Sequence, residues 1–404
     1  GLVALVGNAV GGGSQINANL MLRPNAFAFD QQRNGRRAWP ANVDLNGLQP
    51  FYDRALRELG AEPFTVTPVG TAASGLGRVP ILQEPLKRQR LRDLAGRLQA
   101  LAPSHVTYAF EPVKPELTVS LLTSETVKNF QQAGADELPE GVCVGCGECV
   151  AGCNRNAKKT LAHTYLQRAT ASGARIYAGV SVLDIKHQTD HKGDPFWELH
   201  LVGTRDVGSR RRGVKVPEPV LRTRRLVLAA GSLGSTEILL RSVKEGHLTL
   251  SGKLGQGLST NGDGLAAAHL VKEPVNGVGQ GAAGWARDFP GVGPTITASI
   301  RVKHKNDEFL DVLIQDAAIP RALAGLTHEL VTTMSMLTQL DRWQIRPGDI
   351  PELARVYDWA APHPNLLAHL QTLLIMGHDR GAGTLKLDAA TGHGVLSYDR
   401  TETK

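Results

Sequence analysis

The apolar positions of this chain alternate between two periods, and the changes of period mark its elements. Residues 86–101 carry Leu91, Leu94, Leu98 and Leu101 at helical spacing, with Gln89, Arg92, Asp93 and Gln99 on the opposite side. That pattern predicts an amphipathic helix at the surface with one face on a core. Residues 50–59 predict another, with Tyr52, Ala55, Leu56 and Leu59 on one face and Pro50 in the first turn, where a missing N–H does no harm. Residues 157–169 predict a third, stopped near Ser172-Gly173. Residues 321–342 predict a fourth, whose stripe of Leu323, Leu326, Leu330, Met334 and Leu337 is expected to face the core. Shorter apolar or alternating runs at 2–6, 174–185, 197–202, 221–228, 295–302, 309–314, 370–376 and 383–387 predict strands. Residues 23–46 and 204–219 combine proline with polar runs and predict loops.

One stretch joins both periods. In 226–242, LVLAAGSLGSTEILLRS, an apolar run at 226–229 predicts a strand. Ala230-Gly231-Ser232 is a turn of small residues, and 234–242 a helix with Ile238, Leu239 and Ser242 on one face. Strand, tight turn and helix together let backbone N–H groups approach a phosphate or a ring edge. An ordinary βα turn, with glycines for packing, reads the same way. A second cluster at 10–20, VGGGSQINANL, again combines glycines with a serine and two asparagines. By contrast the G-x-G-x-x-G at 279–284 follows no apolar strand and runs into Pro290, so it reads as a loop.

A chain of 404 residues, 42% hydrophobic and 21% charged, has enough apolar residues for a large core in one domain or two interlocked ones. The net charge of +7 is modest. The clusters Lys87-Arg88-Gln89-Arg90 and Arg210-Arg211-Arg212 have no aromatic residues between them and read as solvated faces, with no nucleic-acid partner expected. No window approaches the ~20 apolar residues of a membrane span and no signal peptide is visible, so a cytoplasmic protein without a transmembrane segment is expected. The chain opens on a glycine in mid-pattern and reads as a piece of a longer or processed protein.

All four cysteines, Cys143, Cys146, Cys149 and Cys153, fall in one run with the spacing of a bacterial ferredoxin loop. Gly145, Gly147 and Gly152 would let it wrap a cluster. Against this, Asn154 follows the last cysteine in place of proline, and no second run exists. Structural zinc sites usually separate two C-x2-C pairs. An iron–sulfur or other metal site and structural cysteines, reduced or disulfide-bonded, both remain open at this point.

The motifs together resemble the glucose–methanol–choline (GMC) flavin oxidoreductases, and among them the cholesterol-oxidase-like branch. Gly7, Val10, Gly11, Gly12, Gly13, Ser14 and Asn17 match G-x-x-V-G-G-G-S-x-x-N, and 230–241 match A-G-S-L-G-S-T-E-x-L-x-R. Leu254-Gly255 with Asn261-Gly262-Asp263, and Met376-Gly377-His378-Asp379 with Gly383, follow in the family's order. The cysteine run also resembles one found in many members of the branch.

The resemblance implies an α/β fold: a Rossmann-like FAD-binding domain beside an antiparallel-sheet substrate domain. It assigns 1–45 and 140–270 to the first and 46–139 and 271–404 to the second. The family's G-x-G-x-x-G strand would precede residue 1, and its catalytic histidine would follow Lys404. It implies FAD as cofactor, contacted by Gly11, Gly12, Gly13, Ser14, Asn17, Leu20, Val182, Ala230, Gly231, Ser232 and Asn261. It implies oxidation of the CH–OH group of a small-molecule alcohol, a sterol or another apolar one, with oxygen or a protein as electron acceptor. Asp316 is the candidate base within this chain, with Gln315 as the alternative register. Two other readings stand beside it: an iron–sulfur flavoprotein dehydrogenase, and a non-catalytic fragment.

Overall fold

The computed structural model describes residues 4–33, 36, 37, 39–65, 84–101, 108–121, 141–211, 214–268, 271, 273–279, 292–342, 366–379, 381–389 and 391–398. Its longer elements in chain order are α1 (Leu45–Leu59), α2 (Leu86–Leu101), β1 (Tyr108–Val113), α3 (Tyr165–Ala171), β2 (Val180–Thr189), β3 (Pro195–Gly203) and β4 (Val220–Thr223). There follow α4 (Gly231–Lys244), β5 (Gln256–Leu258), β6 (Gly264–Ala268), β7 (Ser299–His304), β8 (Val312–Ala317), α5 (Ala324–Arg342), β9 (Gln371–Met376), β10 (Gly383–Leu387) and β11 (Gly394–Ser397). The chain is thus mixed α/β, and it divides into two compact units.

The first unit comprises 1–12, 169–262 and 378–404. Here β2, β3 and β4 form an antiparallel sheet on which α4 packs, burying Ile185, Leu199 and Ile238. A bulge between Val182 and Asp184 shifts the β2–β3 register. The helix then satisfies the backbone around the bulge: Ser242 Oγ accepts from the Ile185 N–H at 2.9 Å, and Arg241 Nε donates to the Leu183 carbonyl at 2.5 Å. A second sheet runs β5-β10-β11. Its glycines allow close approach, since a Cβ on Gly255 would stand 2.2 Å from the Leu385 carbonyl oxygen and one on Gly383 2.8 Å from that of Leu258.

The second unit comprises 13–168 and 263–377. Its five-stranded antiparallel sheet runs β6-β9-β8-β7-β1, and α2 lies across it through Leu91 and Ala95 against Ala298, Ile300 and Val302. Burying a leucine such as Leu91 contributes about 1.5–3 kcal/mol. A separate cluster joins Phe64, Leu117, Val119 and Leu121 to Cys143, Val144 and Ala157. Residues 13–45 and 141–168 pack within this second unit.

Several expected elements change. Every strand pairing in the sheets of the described residues is antiparallel. Residues 226–229 and 4–6 are not strands. A strand needs a hydrogen-bonded neighbour, and 226–229 pairs with none, although Leu226 and Leu228 turn to the core while Val227 is 84% exposed. The strand expected from 174 begins only at Val180, after Gly179 turns the chain at φ 72°. The helix expected at 157 starts at Tyr165, because Lys158 is held in an antiparallel bridge with Val119. The N-terminal end of α1 lies further back, at Leu45, where Asp44 caps the Gly47 N–H at 2.7 Å and Pro50 falls inside the helix. In the helix of 321–342 the stripe is rotated: Val331 is buried, whereas Leu323, Leu330 and Leu326, the last at 69%, are exposed. The loop of 204–219 includes short helical turns at Thr204–Asp206 and Val207–Arg211. The 279–284 motif lies outside the described residues beyond Gly279.

Candidate functional site

The glycine loop at 11–17 is held from one side by a single ammonium. Lys158 Nζ donates to the carbonyls of Asn17 at 2.8 Å, Gln15 at 2.9 Å and Cys149 at 2.9 Å. Lys158 is only 2% exposed, and burial lowers its pKa while the nearby thiols act the other way. Ser14 Oγ accepts the Leu161 N–H at 3.1 Å. Asn17 Oδ1 accepts the Asn19 N–H at 3.3 Å, and Leu20 enters a short ladder with Leu117. Beside Gly12 and Gly13 the space is open, with no atom within 4 Å of where a Cβ would stand.

Asn19 was not singled out by the sequence, although asparagine is one of the few residues that tolerate a left-handed backbone. It has φ 65° and is fully buried, and neither atom of its side-chain amide has a hydrogen-bond partner. Leaving an amide unsatisfied costs about 1–3 kcal/mol. Such an orphan next to an open glycine loop fits a polar ligand group.

In the first unit, Ala230, Gly231 and Ser232 form the exposed N-terminal end of α4. The end has no side-chain cap, Gly231 sits at φ 74°, and nothing lies within 4 Å of its Cβ position. The Ala230 N–H donates to Ser235 Oγ at 3.0 Å, and the amides after it, at an open helix N-terminus, suit a phosphate or the edge of a ring. Val182 is half-buried at the bulge of β2, and Asn261 takes φ 57° on an exposed turn. Each set by itself offers open glycine backbone and polar groups of the kind a phosphate or a flat ring edge requires.

Asp316, the candidate base, has both carboxylate oxygens engaged within the fold. It is 0% exposed; its Oδ1 accepts the N–H groups of Thr297 at 2.6 Å and Ala298 at 2.7 Å. Its Oδ2 accepts Lys87 Nζ at 2.6 Å and the Thr297 hydroxyl. Lys87 is equally buried, and desolvation lowers its pKa against the opposing pull of Asp316. Thus the basic cluster at 87–90 is not a free cationic face: Lys87 is in the core, and Arg88 lies 4.8 Å from the centre of the Phe64 ring. Strand alternation turns Gln315 to the opposite face. Gln315 is 0% exposed with both amide atoms unpartnered, and Ser299, directly across in register, has an unpartnered hydroxyl.

All four cysteines are free. Burial raises the Cys143 thiol well above its ordinary range and pushes Cys146 up to about 11. They line one cavity of about 20 Å³ with Gly147 and Lys158. That is room for about one water.

The GMC oxidoreductase family model matches residues 2–261. The chain belongs to this family. Within it, the chain falls in the cholesterol-oxidase-like branch: it is 27% identical over 277 residues to a cholesterol oxidase of Acinetobacter baumannii, covering 67% of this chain and 44% of that one. It is 29% identical over 274 residues to a cholesterol oxidase of Mycobacterium tuberculosis, covering 67% and 41%. The match therefore spans less than half the length of these relatives. The family match and these relatives lend an iron–sulfur cluster no support, and the four thiols are unbridged. No helix among the described residues is long and apolar enough to cross a membrane.

Proposed function

We propose that the protein to which this chain belongs is an FAD-dependent oxidoreductase acting on the CH–OH group of an apolar alcohol, of which a sterol is the first candidate. The observation that carries this reading is the turn at 230–232, where an uncapped helix end and open space beside Gly231 coincide with a family motif. FAD, when bound, supplies the two-electron acceptor for the alcohol. Gly11, Gly12, Gly13, Ser14, Asn17, Leu20, Val182, Ala230, Gly231, Ser232 and Asn261 would hold it, with Asn19 added to that set. Residues 1–45 and 140–270 would serve the cofactor, and 46–139 and 271–404 the substrate. In the substrate region the unpartnered amide of Gln315 supports a polar contact to the substrate, and Asp316 acts as the buried anion that fixes β8 against α2. Oxygen or an acceptor protein takes the electrons onward.

The test is a visible absorption spectrum of the purified chain with added FAD, before and after anaerobic addition of cholesterol and of a short primary alcohol. Flavin bands that bleach with the sterol support the full reading. Flavin bands that bleach only with the short alcohol support the alcohol chemistry and remove the sterol. Failure to bind FAD removes the cofactor assignment for this chain.

A further inference from the structure

The geometry points to a binding site for a first-row divalent cation of the Zn²⁺ class at Asp184, His200 and His247, none of them among the residues assigned to the flavin or to the cysteine run. The bulge in β2 sets Asp184 directly opposite His200 on β3. His247 arrives from the turn after α4, where its N–H bonds to the Ser242 carbonyl at 2.8 Å. Both imidazole Nδ1 atoms converge on the same oxygen, Asp184 Oδ1, at 2.6 Å from His200 and 3.0 Å from His247. The two rings stand edge to face with centroids 5.2 Å apart.

Three donor atoms thus lie mutually within 4.8 Å, and no other such trio of His, Cys, Asp and Glu occurs among the described residues. A tetrahedral Zn²⁺ with bonds of about 2.0–2.1 Å places its ligand atoms ~3.3 Å apart. The two nitrogen–oxygen distances need to open by about 0.7 Å and 0.3 Å to admit it. Two imidazoles and one carboxylate suit Zn²⁺, Fe²⁺ or Co²⁺ and disfavour Ca²⁺ or Mg²⁺, which take oxygen ligands. Asp184 is buried, with 7% of its side chain exposed, while the imidazoles keep 25% and 21%. The carboxylate is therefore fixed and the ion has a route in. Ser242 and Arg241 already pin the bulge to α4, so the ligands sit on a rigid frame. An ion here would tie β2, β3 and the turn after α4 together and leave a fourth coordination position for water.

Titration of the purified chain with Co²⁺, followed by its d–d absorption, tests this. The expected result is one equivalent bound without the near-ultraviolet charge-transfer band that thiolate ligation gives. Zn²⁺ should displace it and raise Tm. His247→Gln, at a partly exposed turn, should weaken Co²⁺ affinity by more than the roughly tenfold of an outer-shell loss. His200→Gln should do the same, each judged on protein whose circular dichroism matches that of the parent. No stoichiometric binding, binding with a thiolate band, or binding that both variants retain would overturn the proposal.

Discussion

The Lys158 ammonium stands 2.8 Å from the main-chain oxygen of Asn17, and through it the glycine loop is fastened to the carbonyl of Cys149 in the cysteine run. A buried lysine that meets three carbonyls and no carboxylate among these bonds acts as a clamp: it joins half-buried oxygens of the loop to a buried one of the cysteine run. This gives the cysteine run a structural part in holding the loop, whatever else it binds.

Lys158→Met should therefore loosen the loop as well as the fold. One buried and two half-buried carbonyls lose their donor, and the expected loss of stability is about 2–4 kcal/mol. Urea unfolding measures it, and the retained FAD absorbance should fall further than that of a surface control of equal Tm.

The Lys87–Asp316 pair predicts a strongly coupled double-mutant cycle. Lys87→Met alone leaves a buried carboxylate uncompensated and should cost about 3–5 kcal/mol. Combined with Asp316→Asn, the loss should be less than the sum of the two single losses. Additive losses in chemical denaturation would mean that the ion pair contributes nothing of its own.

Gly231→Ala places a side chain on a left-handed backbone. The strain should cost about 1–2 kcal/mol, and the new methyl enters the open space beside the α4 terminus. FAD occupancy should drop in the variant, while Gly96→Ala on α2, which also has open space around it, should leave it unchanged.

Gln315→Leu should stabilise the protein or leave it unchanged, because the amide it removes has no partner and the two side chains are similar in volume. A gain of about 1 kcal/mol is expected. If the amide contacts substrate, KM for the alcohol should rise while Tm does not fall.

At Asp379 burial acts to raise the carboxyl pKa, but hydrogen bonds from Ser259, Thr260 and Tyr398 outweigh it and hold it at about 2. A folded value below the ordinary 3.8 gives stability that is full above it and is lost as pH falls through about 2. Asp379→Asn should lower stability at neutral pH by about 1–2 kcal/mol after allowance for solvent. It should also flatten the stability profile between those two values, as read by urea unfolding at a series of pH values.

The amino-acid sequence by itself determined the family, through four motifs in fixed order, and the amphipathic helix at Leu86–Leu101, through a period that local geometry imposes. It also located the glycine turns, because left-handed backbone favours glycine. Only the tertiary structure decided which charged residues are buried. Lys87 reads as one more basic residue in a basic run, and its burial comes from Asp316, 229 positions away. Likewise 226–229 has the composition of a strand, but a strand is completed by a neighbour and none pairs with it among the described residues. Asp184, His200 and His247 are unremarked along the chain, since a one-residue bulge and a helix-end turn bring them together. Local propensity acts over a few residues. Partners chosen across the fold are set by packing, and the chemistry of the buried charges follows from it.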